Sequence, residues 1–185
     1  MKKILIATMI ASGAALLSTG AMAQAYVGVG AGVSHLNADC TGTTSCDTSG
    51  NSFKLYGGYG FGSGLSAELG YIDFGKATFT ASGINGSIKT RAVLLGLAYR
   101  GAFSPDWGGT VRLGLANVKT DGNASGGGAS GSVSDTTNQP YFGFGVDYAL
   151  SKNAKLELTA DFSRSEIQGN KGDVRAIGIG VRFDF

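Results

Sequence analysis

The last ten residues, Ala176-Ile177-Gly178-Ile179-Gly180-Val181-Arg182-Phe183-Asp184-Phe185, constrain the fold more than any other stretch. Every odd position from 177 to 185 is large and apolar, and every even position from 176 to 184 is small or charged. A period of two belongs to a β-strand with two unlike faces. In a water-soluble sheet the apolar row would point at a core. Here the opposite row is glycine, arginine and aspartate, which suit the crowded polar inside of a narrow barrel. The apolar row then faces lipid, and Phe183 and Phe185 join an aromatic girdle at one interface.

Seven earlier stretches carry the same alternation. Residues 25–34 set Val27, Val29 and Val33 against Gly28, Gly30, Gly32 and Ser34. Residues 52–60 set Phe53, Leu55 and Tyr59 against Lys54, Tyr56 and Gly58, and the next strand sets Leu65, Leu69 and Tyr71 against Ser66, Glu68 and Gly70. In residues 90–100 Leu94 falls on the small side and breaks the pattern. The fifth to seventh strands put Arg112, then Asp147, then Lys155, Glu157 and Asp161 on the inner row. Short turns at 61–64, 102–106 and 151–153 alternate with longer polar connections at 36–51, 76–89, 119–139 and 165–173. Short turns on one side and long loops on the other characterise transmembrane barrels. The expected fold is therefore all-β, an eight-stranded antiparallel up-and-down transmembrane barrel. The Gly/Ser-rich stretch 125–131 reads as a disordered loop tip. Tyr59, Tyr71, Tyr99 and Tyr148 near strand ends, with Trp107, read as a headgroup belt.

The amino terminus sets the compartment. Lys2 and Lys3 precede an apolar run over 4–17, and Ala21-Met22-Ala23 gives the small-x-small pattern of a cleavage site. Residues 1–23 read as a secretory signal peptide, leaving 24–185 as one barrel domain. Without Lys2 and Lys3 the chain holds 13 basic and 13 acidic residues, so nothing in its charge favours nucleic acid. Cys40 and Cys46, alone in an exported chain, read as a disulfide closing a small loop. No metal site or cofactor is expected. The Gly28-x-Gly30-x-Gly32 run is followed by Val33 and no helical pattern, so the dinucleotide fingerprint fails.

The expected lumen holds the acids Glu68, Asp147, Glu157 and Asp161 and the bases Lys54, Arg112, Lys155 and Arg182. Isolated charges in a poorly solvated interior are very costly, so these groups must balance. Arg112 and Arg182 suit bidentate pairing with carboxylates. Eight strands leave room for side chains rather than a water column, which argues against bulk porin activity. A soluble lipocalin-type carrier would need an apolar interior instead of glycine and charge. Catalysis is not expected: His35 is the sole histidine, and no nucleophile can be placed beside it.

Three stretches, FKLYGGYGFGSGLSAELGYIDFG from Phe53 to Gly75, PYFGFGVDYAL from Pro140 to Leu150, and the terminal GVRFDF, resemble the OmpA-like transmembrane domain. Opacity proteins and the OmpX/Ail-type small barrels share this style. The resemblance implies an outer-membrane location in a Gram-negative bacterium, with lipid and lipopolysaccharide as neighbours. It also implies recognition of Phe183 and Phe185 by the barrel assembly machinery. Neither the peptidoglycan-binding domain that follows the barrel in OmpA nor a tether to the cell wall is expected. Glu68, Arg112 and Asp147 match acidic and basic positions of the family's interior ion-pair network. Gly96 and Glu157 depart from it, standing where that interior has a lysine and an arginine. A structural, envelope-integrity role is the expected function, with a polar, ion-paired lumen that is at most a narrow gated pore for protons or ions. The alternative is an adhesin or serum-resistance protein acting on a host or surface ligand through its long loops, which have few aromatic anchors.

Overall fold

The computed structural model describes residues 25–37, 43–81, 83–127, 129–167 and 169–185. The proposed signal peptide and Cys40 lie outside them. The strands are β1 (Ala25–Leu36), β2 (Ser45–Asp47), β3 (Ser49–Gly62), β4 (Leu65–Ala81), β5 (Ile84–Ala102), β6 (Trp107–Gly126), β7 (Ala129–Ala149), β8 (Ala154–Ile167) and β9 (Asn170–Asp184). All but β2 form a closed antiparallel barrel of eight strands, sealed between β1 and β9 and between β4 and β5. The three-residue β2 extends the sheet along β4, pairing Cys46 with Phe79 beyond the last rung that β3 makes with β4.

Following the register once around fixes the geometry. Ala25 pairs with Tyr59, and the line through Ala67, Leu97, Leu113, Phe142, Phe162 and Arg175 returns to β1 at His35. From Ala25 to His35 is a shear of ten residues. Strands so staggered are steeply tilted, and their inward side chains fill the barrel.

The outer surface is apolar. Leu95 is 63% and Ile179 57% exposed, whereas Arg112 is 1% and Glu157 2% exposed. At the short-turn end a girdle of Tyr59, Phe61, Tyr99, Trp107, Tyr148 and Phe185 is exposed, with the Trp107 and Tyr148 rings 5.0 Å apart. Towards the other end the outward row turns polar at His35, Asn51, Asp73, Arg91, Asn117 and Arg164, residues that the register sets at nearly one level. On β6 the apolar stretch runs from Trp107 to Asn117. At a rise of about 3.3 Å and a tilt of about 40° such a stretch spans about 25 Å, the height of a lipid-facing band.

The long connections differ from expectation. Segments 76–89, 119–139 and 165–173 are mostly strand: β4 and β5 run on to Ala81 and Ile84, β6 and β7 to Gly126 and Ala129, and β8 and β9 to Ile167 and Asn170. The stretch read as a disordered tip thus belongs largely to a hairpin whose rungs reach Gly126↔Ala129. Within 36–51, among the described residues, β2 is a separate short strand, β3 begins at Ser49, and Asn37, Thr43, Thr44 and Thr48 belong to no strand. Outside the membrane both faces of a hairpin meet water, so alternation in hydrophobicity disappears while the backbone ladder continues. The β7–β8 ladder runs from Phe142↔Phe162 to Ala149↔Lys155. Pro140, which has no N–H to donate, lies just beyond it.

Two glycines mark places where a side chain would not fit. A Cβ on Gly28 would collide with the Tyr56 ring across the β1–β3 rung, so glycine there makes room for a lumen tyrosine. Gly75, at φ +77°, sits in the bulge between Asp73 and Lys76, and its N–H bonds the Asp73 carboxylate at 2.8 Å. The bulge shifts the parity of β4: Ile72 and Phe74 point inward before it, and Ala77 after it.

Candidate functional site in the barrel lumen

The inward rows stack into two tiers. Near the short turns Arg112 occupies the centre of a chain of ion pairs. Its Nε donates to Glu68 at 2.9 Å and 3.2 Å, and its Nη2 to Glu157 at 3.5 Å. Glu68 also accepts from Arg100 at 3.0 Å and from the Tyr26 hydroxyl at 3.2 Å. Glu157 accepts from Arg182 at 2.7 Å and from the Tyr56 hydroxyl. Arg182 continues to Asp184 at 2.8 Å and lies 3.8 Å from Asp147. Lys155, less buried, stands 3.8 Å from both Asp147 and Asp184. A second group lies deeper. Lys54 donates to Asp161 at 2.6 Å and to the Tyr141 hydroxyl at 2.9 Å, and that hydroxyl donates to Asp161.

All eight charged residues anticipated from sequence face the lumen and meet in these two groups. The list of lumen charges anticipated from sequence left out Arg100 and Asp184, although the alternation of the last strand had already put Asp184 in the inner row. Both were legible: each sits at an even position of its strand, in the same row as the small or charged residues. Counting them, five acids (Glu68, Asp147, Glu157, Asp161, Asp184) face five bases (Lys54, Arg100, Arg112, Lys155, Arg182). The added pair leaves the lumen neutral, as its low polarisability demands. Tyrosine rings supply further contact, with the Arg100 guanidinium 3.7 Å from the Tyr26 ring centroid and that of Arg112 4.8 Å from Tyr56.

The second tier corrects the expectation of an interior made only of glycine and charge. Leu36, Ile72, Phe74, Leu94, Val118 and Val174 form a buried apolar cluster inside the barrel. On β4 it follows Glu68, on β6 it follows Arg112, and on β9 it precedes Arg182, so on each strand it lies on the hairpin side of the charges. Leu94 is the pattern-breaking leucine of the sequence, and its inward position is what the break signalled. Burying these side chains contributes about 1.5–3 kcal/mol each. A cavity of about 20 Å³ beside Lys54, Tyr56, Glu157 and Asp161 has room for about one water. What the arrangement can do chemically is fix strand register and fill the lumen with paired and packed side chains.

Elsewhere the anticipated residues are scattered. His35 has its Nδ1 3.3 Å from the Thr48 hydroxyl at the rim, far in sequence from the charged lumen tier. Cys46 lies on β2 and Cys40 outside the described residues; among those described, no cysteine is free. Phe183 and Phe185 are exposed at the short-turn end, and the Phe185 N–H donates to the Ala25 carbonyl at 2.8 Å, tying the terminus to β1.

This geometry can be set beside known proteins. The family model described as outer membrane protein beta-barrel domain matches residues 4–185. The chain belongs to the outer-membrane β-barrel family. Its location is accordingly the cell outer membrane, with the short turns on the periplasmic side. Among curated relatives, outer membrane protein A of Shigella flexneri is 28% identical over 135 residues, covering 70% of this chain and 39% of that protein. The chain thus matches about two fifths of that relative's length. Among solved structures, the attachment invasion locus protein Ail of Yersinia pestis superposes with a TM-score of 0.60 at 19% identity, over 88% of this chain and all of Ail. Neisserial surface protein A gives 0.62 at 16% identity, over 89% of this chain and 100% of its own. Likenesses so remote in sequence share the barrel and no more.

Proposed function

We propose that the protein is a structural barrel of the outer membrane, contributing to envelope integrity without a through-path for water or ions. The observation that supports it best is the two-tier lumen, in which a neutral ion-pair chain lies beneath an apolar plug. In this reading residues 1–23 are removed on export, Cys40 pairs with Cys46, Phe183 and Phe185 serve the assembly machinery, and the barrel performs no catalysis. A second reading, adhesion to a host or surface ligand, draws support from the β4–β5 and β6–β7 hairpins, which run well past the polar border of the lipid-facing band.

One experiment separates the two. A strain lacking the protein is complemented with the full chain or with a version whose β4–β5 and β6–β7 hairpins are shortened to the membrane border. A structural role predicts that both restore resistance to detergent and large antibiotics. Normal envelope resistance in the deletion strain, with cell attachment lost on shortening, would replace the structural reading by the adhesive one.

A further inference from the structure

We propose that the periplasmic mouth of the barrel binds a zwitterionic amino-acid group, an ammonium and a carboxylate carried on one carbon. Two cavities open at the short-turn end, of about 380 Å³ and 190 Å³, and Arg100, Lys155 and Arg182 line both. The larger one also reaches Trp107, Gly108 and Asp147, between the β5–β6 and β7–β8 turns.

Unmet hydrogen bonding sets this place apart from the rest of the ion-pair chain. Arg182 is held by Glu157 at 2.7 Å and by Asp184 at 2.8 Å, and Arg100 by Glu68 at 3.0 Å. Lys155 and Asp147 have no such hold. They stand 3.8 Å from each other, and the other ion-pair partner of each, Asp184 for Lys155 and Arg182 for Asp147, is again at 3.8 Å. That separation is beyond hydrogen-bond reach. On the same cavity, the buried Arg100 Nε has no hydrogen-bond partner among the described residues. Gly108, directly opposite Asp147, keeps that carboxylate open to the cavity, since a Cβ there would stand 2.8 Å from it.

The signs of the unmet groups decide the ligand. An anion alone would satisfy Lys155 and Arg100 but leave Asp147 unbonded, and it would add net charge to a neutral, poorly polarisable interior. A cation alone would do the reverse. A group carrying both signs meets both sides and leaves the balance unchanged. Its carboxylate accepts from Lys155 Nζ and Arg100 Nε, its ammonium donates to Asp147, and its substituent lies in the larger cavity. Hydrogen bonds between charged groups are the strong ones, so few contacts suffice. A free amino acid presents this group, and so does a diamino acid joined to a larger molecule through its side-chain nitrogen.

The test titrates the refolded barrel in maltoside micelles with L-alanine, propionate, ethylammonium and Nε-acetyllysine, and follows the Gly108 and Lys155 amide resonances by NMR. The comparison proteins are K155Q and K152Q, the second removing a cation of the same rim. Heat-modifiable gel mobility shows that each is folded. The expected result is a saturable shift with alanine, and at least tenfold weaker binding of propionate and of ethylammonium. Alanine should bind at least tenfold more weakly to K155Q and equally well to K152Q. Propionate or ethylammonium binding as tightly as alanine would overturn the proposal, as would equal affinity of K155Q and wild type or no saturable shift. Nε-acetyllysine separates the two sources, each of which upholds the site: binding like alanine assigns the group to a larger molecule, and exclusion assigns it to a free amino acid. None of these outcomes bears on whether the lumen is sealed, so this site stands or falls apart from the structural role.

Discussion

Arg112 and Glu68, 44 positions apart in sequence, are joined inside the barrel by two hydrogen bonds from one nitrogen, at 2.9 Å and 3.2 Å. Arg112 is almost wholly buried, and Glu157 waits on its other side at 3.5 Å. Removing one partner of a buried pair leaves the other charge uncompensated, at about 3–5 kcal/mol. Arg112→Met is expected to fall at the lower end of that range, because Glu68 keeps Arg100 and Glu157 keeps Arg182. Unfolding free energies in liposomes would show this. The double change E68Q/R112M should cost less than the two singles together, since the groups share partners.

The apolar tier makes a separate prediction. Phe74 is fully buried and belongs to the cluster with Ile72, Val118 and Val174. Phe74→Ala is expected to lower stability by about 3–5 kcal/mol through lost burial and the cavity left behind. The same denaturation series measures it. A loss below about 1 kcal/mol would mean that the hairpin side of the lumen is wet.

Glycine at the barrel's closing seam is tested by its neighbours. Gly32 pairs with Gly178 between β1 and β9, and a Cβ on Gly32 would strike the backbone carbonyl of Ile177. Backbone cannot swing aside as a side chain can, so G32A is expected to cost about 1–3 kcal/mol and to slow closure. Gly57 is the control: its added Cβ would meet only the Tyr26 carbonyl, at 3.4 Å. G57A should fold at the wild-type rate, read by the gel shift of the folded barrel during refolding.

Outside the membrane, the hydrogen bond from Arg91, followed by that from Ser134, holds the Asp121 carboxyl below its usual range. A carboxylate so depressed contributes stability above its unfolded value of about 3.9, and that contribution is lost as pH falls through the folded value. Carbon-detected NMR titration should therefore find the Asp121 midpoint below that of an ordinary aspartate. R91Q should move it up towards that value, and an unchanged midpoint would mean the pair does not form in solution.

How much of this was legible in the sequence follows from contrast. Within the membrane one face meets lipid and the other meets charge, so alternation announced all eight barrel strands, and even the exception at Leu94 carried information. Beyond the border both faces of residues 119–139 are mainly Ser, Thr, Asn, Asp and Gly, with little contrast to read, and a ladder reaching Gly126↔Ala129 passed for a loop. Ile72 and Phe74 were hidden for a different reason. They continue the inner row of β4 past the last glycine, where an apolar residue reads more naturally as lipid-facing, and the bulge at Gly75 then reverses the parity.

Planar-bilayer recording of the refolded full-length barrel tests the sealed lumen most directly. With the ion-pair chain and the Phe74 tier intact, the membrane should carry no current above that of lipid alone, and neither Glu68→Ala nor Arg112→Ala should lower it. A steady wild-type conductance that disappears on Glu68→Ala would contradict a plugged barrel and make the charged tier an ion path.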